Sequence, residues 1–215
     1  MKKAKFRLYI MKFEDKIEDL VNVLDGLIIP GGRDIDPELY GEKNTYSKFD
    51  KVDAKLRWDS CVNKIENSPK QLPILGICYG YEFLHCYFGG KMIQHLDNAD
   101  EHYGPRTFNV VAGTHLAKAI SPKTKMTGPC YHHQNIKYPP PESSTQYRLI
   151  PNSHDKKDST VHGLEIDDPE RVVFSVLWHP ESSINYDDDE VDKEDNFKII
   201  KYLRDQAARY RRSRL

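Results

Sequence analysis

Apolar residues along the chain follow two spacings, one typical of helices and one typical of buried strands. Near the N-terminus they recur at helical intervals, at Phe13, Ile17, Leu20, Val21 and Leu24. The short apolar segment 26–29 follows directly, which predicts a helix leading into a buried strand. Further along, a second set has helical spacing, at Trp58, Cys61, Val62 and Ile65. It precedes another apolar run at 72–77, and strands alternating with helices predict a parallel sheet covered on both faces.

The pattern after residue 78 predicts one more helix, a strand-rich region and a C-terminal helix. Phe83, Leu84 and Tyr87 share a helical face, and two glycines then supply a stop. Later apolar segments are separated by clusters of Pro, Gly, Ser and Asn, and predict strands at 108–111, 148–150, 161–166 and 171–178. The predicted apolar stripe of the last helix comprises Phe197, Ile200, Leu203 and Ala207.

Length and composition indicate an ordinary globular protein. A chain of 215 residues buries roughly 70% of its unfolded surface in one core, so we expect a single domain over 1–215. Charged residues make up 30% and the formal net charge is −1, which disfavours a disordered chain and a nucleic-acid-binding protein. The sequence has neither a membrane-length apolar run nor a signal-peptide core, so we expect a soluble, cytoplasmic protein without a membrane partner. Its four cysteines are too few for a disulfide scaffold.

One cysteine stands where a predicted buried strand turns into a helix. The segment Ile-Leu-Gly-Ile-Cys-Tyr-Gly places Cys78 between Gly76 and Gly80. This is the pattern of a nucleophile elbow with sulfur in place of oxygen, in which small neighbours permit a strained turn and the helix N-terminus stabilises a thiolate. The alternative is a cysteine packed in the core, like Cys61 or Cys86 on helix faces, but it gives the flanking glycines no packing purpose. We therefore predict that Cys78 is a nucleophile.

A histidine and a carboxylate follow the last predicted strand, in the segment Trp-His-Pro-Glu. A thiol nucleophile needs a base, and a neutral imidazole needs a partner that holds its tautomer. His179 and Glu181 lie two residues apart at a strand end, so their side chains can project to the same side. Zinc held by Cys78, His179 and Glu181 is the alternative, and it is disfavoured because no second Cys or His lies at metal spacing. We expect no metal.

A glycine pair, Gly31 and Gly32, ends the first predicted strand. Free backbone N–H groups at such a loop can face a developing oxyanion together with the N–H of Tyr79. An ordinary turn after a strand is the alternative, and the neighbouring elbow favours the functional interpretation.

Taken in order, these motifs resemble the class I glutamine amidotransferase-like superfamily, and most closely its peptidase C26 branch of γ-glutamyl hydrolases and γ-glutamyl-γ-aminobutyrate hydrolases. The resemblance covers about residues 24–203. Its six blocks are 24–32, 34–42, 76–82, 89–90, 131–134 and 178–181. It implies a flavodoxin-like α/β three-layer sandwich with a central, mostly parallel sheet and the active site at the carboxyl ends of the strands.

The same resemblance implies a role for each residue of the motifs. Cys78 is the nucleophile, His179 the general base and then acid, and Glu181 the group that orients the imidazole. Gly32 and Tyr79 offer the oxyanion hole. The implied reaction is hydrolysis of a γ-glutamyl amide through a thioester acyl-enzyme, with a small-molecule γ-glutamyl substrate and no cofactor.

Further residues are expected to contact the substrate. They are Gly31, Glu82, His132, His133 and Gln134. A solvated turn is the alternative for the histidine pair. Glu82 occupies a position where glutamine amidotransferases commonly carry Gln, which favours a hydrolase that acts alone. Two other functions stay open: a glutaminase that feeds ammonia to a partner synthetase, and a shortened, catalytically weak homologue that binds γ-glutamyl metabolites.

The start of the chain departs from the family pattern. Family members open with a βα unit that supplies the central strand, whereas only 24 residues precede Asp25 here. We expect either that residues 5–10 take that place or that the first βα unit is lacking, with a gap beside residues 26–30. A gap would expose strand edges, lower the stability and favour homo-oligomer formation.

Overall fold

The computed structural model describes residues 9–12, 15–20, 22–139, 147–168, 170–187 and 189–215. The strands in these ranges are β1 (Leu27–Ile29), β2 (Ile74–Ile77), β3 (Lys91–Ile93), β4 (Tyr103–Val110), β5 (Lys125–Tyr131), β6 (Asn135–Lys137), β7 (Leu149–Asp155), β8 (Val161–Ile166) and β9 (Val173–Val176). The α-helices are α1 (Ile17–Leu20), α2 (Lys51–Glu66), α3 (Tyr79–Tyr87), α4 (His115–Ile120) and α5 (Lys193–Ser213). Short 3-10 helices span Pro37–Tyr40, Ala99–His102 and Pro180–Asn185.

The main sheet is mixed, with strand order β1-β2-β9-β8-β7-β4-β5. The first three strands in this order run parallel, and the other neighbouring pairs run antiparallel. The predicted α/β class with a flavodoxin-like arrangement is confirmed, but the expectation of a mostly parallel sheet is wrong, because two neighbouring pairs run parallel and four run antiparallel. The strand-rich second half of the sequence supplies the antiparallel part, so the parallel part is confined to the strands that carry the elbow and its neighbours.

Two hydrophobic clusters cover the two faces of the sheet. In β2, Ile74 belongs to the cluster that contains Phe83 of α3, whereas Leu75 belongs to the cluster that contains Leu116 of α4 and Leu203 of α5. This alternation is the two-residue period of a strand buried on both sides. The sheet is therefore the middle layer of three.

Little regular structure precedes β1 among the described residues. Helix α1 covers part of the predicted helix, of which Phe13 and Val21 lie outside the described residues. Positions 5–8 of the segment 5–10 also lie outside them. Strand β1 pairs directly with β2, Leu27 opposite Ile74, so the sheet has no gap on that side of β1. Within the described sheet β1 forms one edge.

Helix α5 buries a stripe that differs from the prediction at one end. Its buried apolar residues are Ile199, Leu203, Ala207 and Tyr210. Phe197 is 49% exposed, because it lies off the line through these residues, which recur every three or four positions. The described part of the chain contains no helix with the length and apolar character that crossing a membrane requires.

Candidate active site

Cys78 joins β2 to α3 in a strained backbone conformation. Its φ of 50° and ψ of −105° lie in a region that residues with a side chain rarely occupy. Its N–H donates to the carbonyl oxygen of Val176 in β9 at 2.9 Å, and its own carbonyl accepts from the N–H groups of Tyr81 and Glu82. The parallel strands on one side and the first helical turn on the other therefore hold this residue in the sharp turn.

The glycines beside Cys78 are required by packing. A methyl group on Gly80 would overlap the carbonyl oxygen of Ile29 in β1, and one on Gly76 would lie 2.7 Å from the backbone of Gly80. Both glycines let α3 begin directly against the sheet. The expectation that they have no packing purpose is therefore wrong, although the predicted turn is present.

His179 and Glu181 form a hydrogen-bonded pair just beyond β9. Nδ1 of His179 lies 2.7 Å from Oε1 of Glu181. The N–H of His179 donates to the carbonyl oxygen of Pro129 in β5 at 2.9 Å. Glu181 sits in the first turn of the 3-10 helix that begins at Pro180. The backbone thus fixes both members of the pair from neighbouring elements.

Gly31 brings the cysteine and the imidazole together. A methyl group built on Gly31 would lie 3.5 Å from Cβ of Cys78 and 2.7 Å from Cε1 of His179. Both side chains therefore pack against the same bare stretch of backbone. The fold thus gathers Cys78, His179 and Glu181 around the glycine loop that follows β1.

Gly32 and Tyr79 lie on the other flank of the loop. A Cβ on Gly32 would be 3.5 Å from Cβ of Tyr79, and the N–H of Tyr79 forms a hydrogen bond with the Cys78 thiol group. The first N–H group of a helix has no acceptor within the helix, so the N–H of Tyr79 at the start of α3 can donate to groups at the sulfur. The arrangement suits stabilisation of negative charge beside the sulfur.

Arg57 of α2 is a neighbour of this loop that the sequence did not reveal. Its guanidinium lies against Gly32 and over the ring of Tyr79, 5.1 Å from the ring centroid. It also pairs with Asp53 at 2.6 Å. No local motif marks Arg57, because only the packing of α2 beside the loop brings it there.

Burial sets the protonation state of the thiol. Cys78 is 7% exposed. This desolvation, followed by the nearby Glu82 carboxyl group, raises the pKa of the Cys78 thiol well above its ordinary value, and the N–H of Tyr79 acts in the opposite direction. The helix N-terminus was expected to stabilise the thiolate, and the N–H of Tyr79 does act in that direction, but desolvation outweighs it. The thiol rests protonated and needs a base for attack.

Glu82 lies one helical turn after Cys78 and is buried. Burial, followed by the charge of Asp34, raises the pKa of Glu82 to about 8. At neutral pH this carboxyl group is mostly protonated, so it offers one donor and one acceptor, much as a glutamine amide does. In the folded protein Glu82 therefore resembles a glutamine in charge and in hydrogen bonding, although an ordinary glutamate would be ionised.

The segment 132–134 sends its side chains in different directions. Nε2 of His133 lies 3.2 Å from Oδ2 of Asp34, the carboxylate that influences Glu82. The Gln134 amide is buried and donates to Oγ of Ser47 at 2.8 Å. His132 is also buried, with Nδ1 2.9 Å from the carbonyl oxygen of Gln134. Of the three, His133 is the one beside the Asp34–Glu82 region.

Comparison with known proteins identifies the family of this chain. The sequence model of the Peptidase C26 family matches residues 4–181. A provisionally named glutamine amidotransferase of Mycobacterium tuberculosis is 29% identical over 200 residues, which is 89% of this chain and 58% of that protein. This chain therefore spans less than two thirds of that relative. A protein of Lactococcus lactis, provisionally named glutamine amidotransferase-like, is 29% identical over 179 residues, 78% of this chain and 71% of the relative.

Among solved structures, a Thermoplasma acidophilum protein provisionally described as one component of GMP synthase superimposes with a TM-score of 0.64. The match covers 92% of this chain and 79% of the other, at 18% sequence identity. At this identity the likeness shows the fold.

Proposed function

The chain belongs to the peptidase C26 family, and we propose that it is a cysteine-dependent hydrolase that cleaves γ-glutamyl amide bonds through a thioester acyl-enzyme. One observation carries the proposal: the strained Cys78 and the hydrogen-bonded pair of His179 and Glu181 converge on Gly31. These are a nucleophile, a base and an orienting group, in the arrangement that acyl transfer to sulfur needs.

In the first half of the proposed cycle, the Cys78 sulfur attacks the γ-carbonyl carbon as His179 takes the thiol proton. Glu181 holds the proton of Nδ1, so Nε2 is the atom that accepts. The carbonyl oxygen becomes an oxyanion beside the N–H groups of Gly32 and Tyr79, and one such donor contributes about 2.7–4 kcal/mol. His179 then gives its proton to the leaving nitrogen as the C–N bond breaks, and a thioester remains.

In the second half, water replaces the amine. His179 removes a proton from water while the oxygen attacks the thioester carbon, and the C–S bond breaks as glutamate leaves. The proton returns to the sulfur. Because burial holds the resting thiol neutral, His179 acts in both halves and no preformed thiolate is required.

Residues around Asp34 are suited to the charged end of a γ-glutamyl group. The α-ammonium of such a substrate matches the Asp34 carboxylate, which already accepts the backbone N–H of Lys48 at 2.7 Å. His133 and Glu82 flank the same carboxylate. We assign substrate contact to His133, Glu82 and Gly31, and an internal supporting role to His132 and Gln134.

A glutaminase-type amidotransferase is the second candidate. The relatives named above carry amidotransferase names, and a protonated Glu82 resembles the Gln of that class in shape and hydrogen bonding. The two candidates differ in the leaving group: ammonia from glutamine in one, a larger amine in the other.

The test is release of glutamate from glutamine and from a panel of larger γ-glutamyl amides, by wild type and Cys78→Ser. We expect turnover by wild type and none by the variant. An acid-quenched sample of wild type should carry a γ-glutamyl adduct that intact-mass spectrometry detects, and the adduct should be absent from Cys78→Ser. Cys61, another buried thiol, offers the matched control, and Cys61→Ser should retain turnover.

Equal rates in Cys78→Ser and wild type would contradict the proposal. Binding without turnover by wild type would indicate the catalytically weak homologue.

A second variant tests the orienting role of Glu181. Glu181→Gln leaves the imidazole without its carboxylate partner, so we expect kcat to fall by about 10²–10⁴ with little change in KM. The exposed Glu170 offers a control, as Glu170→Gln should keep wild-type kinetics. Unchanged kcat in Glu181→Gln would remove this residue from the triad.

A further inference from the structure

Three buried histidines outside the proposed triad meet inside the protein. His102 ends the 3-10 helix Ala99–His102, His132 follows β5, and His162 lies in β8. One ring nitrogen from each lies within 4.8 Å of the other two. Each residue is at most 4% exposed, and the ring centroids are 4.7–5.5 Å apart. We call this group the histidine cluster.

The cluster directs unpaired ring nitrogens into the protein interior. Nδ1 of His132 donates to the carbonyl oxygen of Gln134 at 2.9 Å, and Nδ1 of His162 lies 3.3 Å from the carbonyl oxygen of Thr160. Nδ1 of His162 also lies 3.2 Å from Oγ1 of Thr160, and this hydroxyl donates to Asp158, so we assign the proton to Nδ1 in both rings. Nε2 of both rings, and the ring nitrogens of His102, have no hydrogen-bond partner among the described residues. Carbonyls bonded to Nδ1 are the usual outer partners of metal-binding histidines.

Protonation does not compete for these nitrogens at neutral pH. Burial lowers the pKa of His102, His132 and His162 below the ordinary value. Neutral imidazoles with free lone pairs are the form that binds a metal ion. Several buried acceptors left unpaired at one place are otherwise unfavourable in a folded protein.

The charges beside the cluster favour a cation. Arg106 pairs with Asp155 at 2.6 Å and with Asp158 at 2.9 Å, and Glu101 lies 3.8 Å from the same guanidinium. Lys157 also pairs with Glu101 at 2.8 Å, so three carboxylates face two cationic side chains and one negative charge remains in excess. Asp158 also lies 3.4 Å from Nε2 of His102, so one of these carboxylates borders the cluster itself.

We propose that His102, His132 and His162 bind one divalent first-row transition metal ion, of which zinc fits three imidazoles best. A tetrahedral zinc with bonds of about 2.1 Å places its ligand nitrogens about 3.4 Å apart. The ligand nitrogens now lie within 4.8 Å of one another, and small rotations of the imidazole rings shorten these distances to the value that zinc requires. A water molecule or the Asp158 carboxylate supplies the fourth ligand of the ion. The ion links the end of β5 to β8 and to the start of β4. This gives it a structural role beside β5, the strand whose Pro129 carbonyl oxygen accepts the N–H of His179.

The sequence pointed to no metal because the three residues are about 30 positions apart in the chain, without local ligand spacing. The proposed hydrolysis assigns no chemical step to this ion, so either proposal can fail alone.

The test is metal binding by the full chain after treatment with a chelator. Calorimetric titration with Zn²⁺ should show one ion per chain, and Co²⁺ should give the visible absorption of a tetrahedral site. In His132→Gln and His162→Gln we expect the affinity to fall by at least about 100-fold, more than the loss of an outer partner causes. His154→Gln, a histidine outside the cluster, and Cys78→Ser should bind as wild type does.

The variants distinguish a metal site at the histidine cluster from a metal site elsewhere in the protein. Binding lost in the cluster variants and retained in His154→Gln and Cys78→Ser supports the site. Equal binding in the cluster variants and wild type, or loss in Cys78→Ser alone, places the ion elsewhere and overturns the proposal. If the cluster variants do not fold, the wild type decides: zinc should raise its melting temperature and the chelator should reverse the rise. A wild type that neither binds nor responds to zinc overturns the proposal.

Discussion

At the residue scale, two protons govern the candidate active site, one on Cys78 and one on Glu82. Burial keeps both groups neutral near pH 7, and ionisation of Glu82 raises the pKa of the Cys78 thiol further. A proton on Glu82 therefore favours removal of the proton from sulfur. The activity should thus depend on Glu82 even though this residue need not take part in bond breaking.

Replacing Glu82 by Gln tests the protonated state directly. The folded pKa is raised from 4.5 to about 8, so the unfolded chain releases this proton first and wild type loses stability as pH rises through that window. Glu82→Gln keeps the hydrogen-bonding pattern of the acid without the charge. Its free energy of unfolding relative to wild type should therefore increase between about pH 5 and about pH 8.5.

Urea denaturation at both pH values provides the measurement. The exposed Glu170→Gln is the control and should show the same difference from wild type at both pH values. A pH-independent difference for Glu82→Gln would mean that Glu82 is ionised in the fold throughout this range.

At the element scale, close backbone approach and one buried hydrogen bond position the candidate catalytic groups. Trp178, next to His179, donates from Nε1 to Oδ1 of Asn196 in α5 at 2.9 Å and stacks on Phe108 of β4 with ring centroids 4.1 Å apart. A side chain on Gly128 of β5 would overlap the indole. The end of β9 is thus held by three other elements, which keeps the imidazole opposite the elbow.

Gly80→Ala should disturb the elbow by forcing α3 away from β1. The added methyl group meets the carbonyl oxygen of Ile29, which is backbone and cannot rotate aside. We expect a loss of at least about 1–3 kcal/mol in unfolding free energy, together with a fall in kcat. Gly26→Ala is the comparison, because its nearest neighbour is the Ala207 methyl group at 3.3 Å and the strain should be smaller. Equal losses in the two variants would contradict the role of the close approach.

At the scale of the whole molecule, buried histidines make the fold sensitive to acid. His85 and His115 lie outside both sites, and burial lowers the pKa of each, that of His85 to about 4. Below the ordinary value of 6.5 the unfolded chain takes up a proton that the folded chain excludes. Their stabilisation is therefore present above that pH and is lost as pH falls towards the folded pKa.

His85→Gln should reduce this acid sensitivity. Nε2 of His85 lies 3.1 Å from the carbonyl oxygen of Lys91, and a glutamine amide can make the same bond without titrating. Between about pH 7.5 and about pH 5 we expect the variant to lose about 2 kcal/mol less unfolding free energy than wild type. His154→Gln serves as the control and should follow the wild-type curve. Parallel curves for His85→Gln and wild type would show that His85 is not held neutral.

Local pattern was enough to locate some elements closely, whereas the strands predicted at 108–111 and 148–150 cover only one end of β4 and of β7. The predicted strand 161–166 matches β8, and the helix after Cys78 matches α3, because apolar spacing is a property of neighbouring residues. Strand β5 was missed because it contains Gly128 and Pro129, which disfavour a strand locally. It forms because β4 pairs with it along its length.

The amino-acid sequence by itself determined the candidate chemistry: a cysteine in a glycine-flanked turn, a histidine two residues before a glutamate, and a glycine pair after a strand. These signals depend only on residue type and short spacing. The tertiary structure decided that the thiol rests neutral, that Glu82 is protonated and that three distant histidines meet. Burial and contacts between residues far apart in the chain set desolvation and proximity, and neither quantity is encoded in any local stretch.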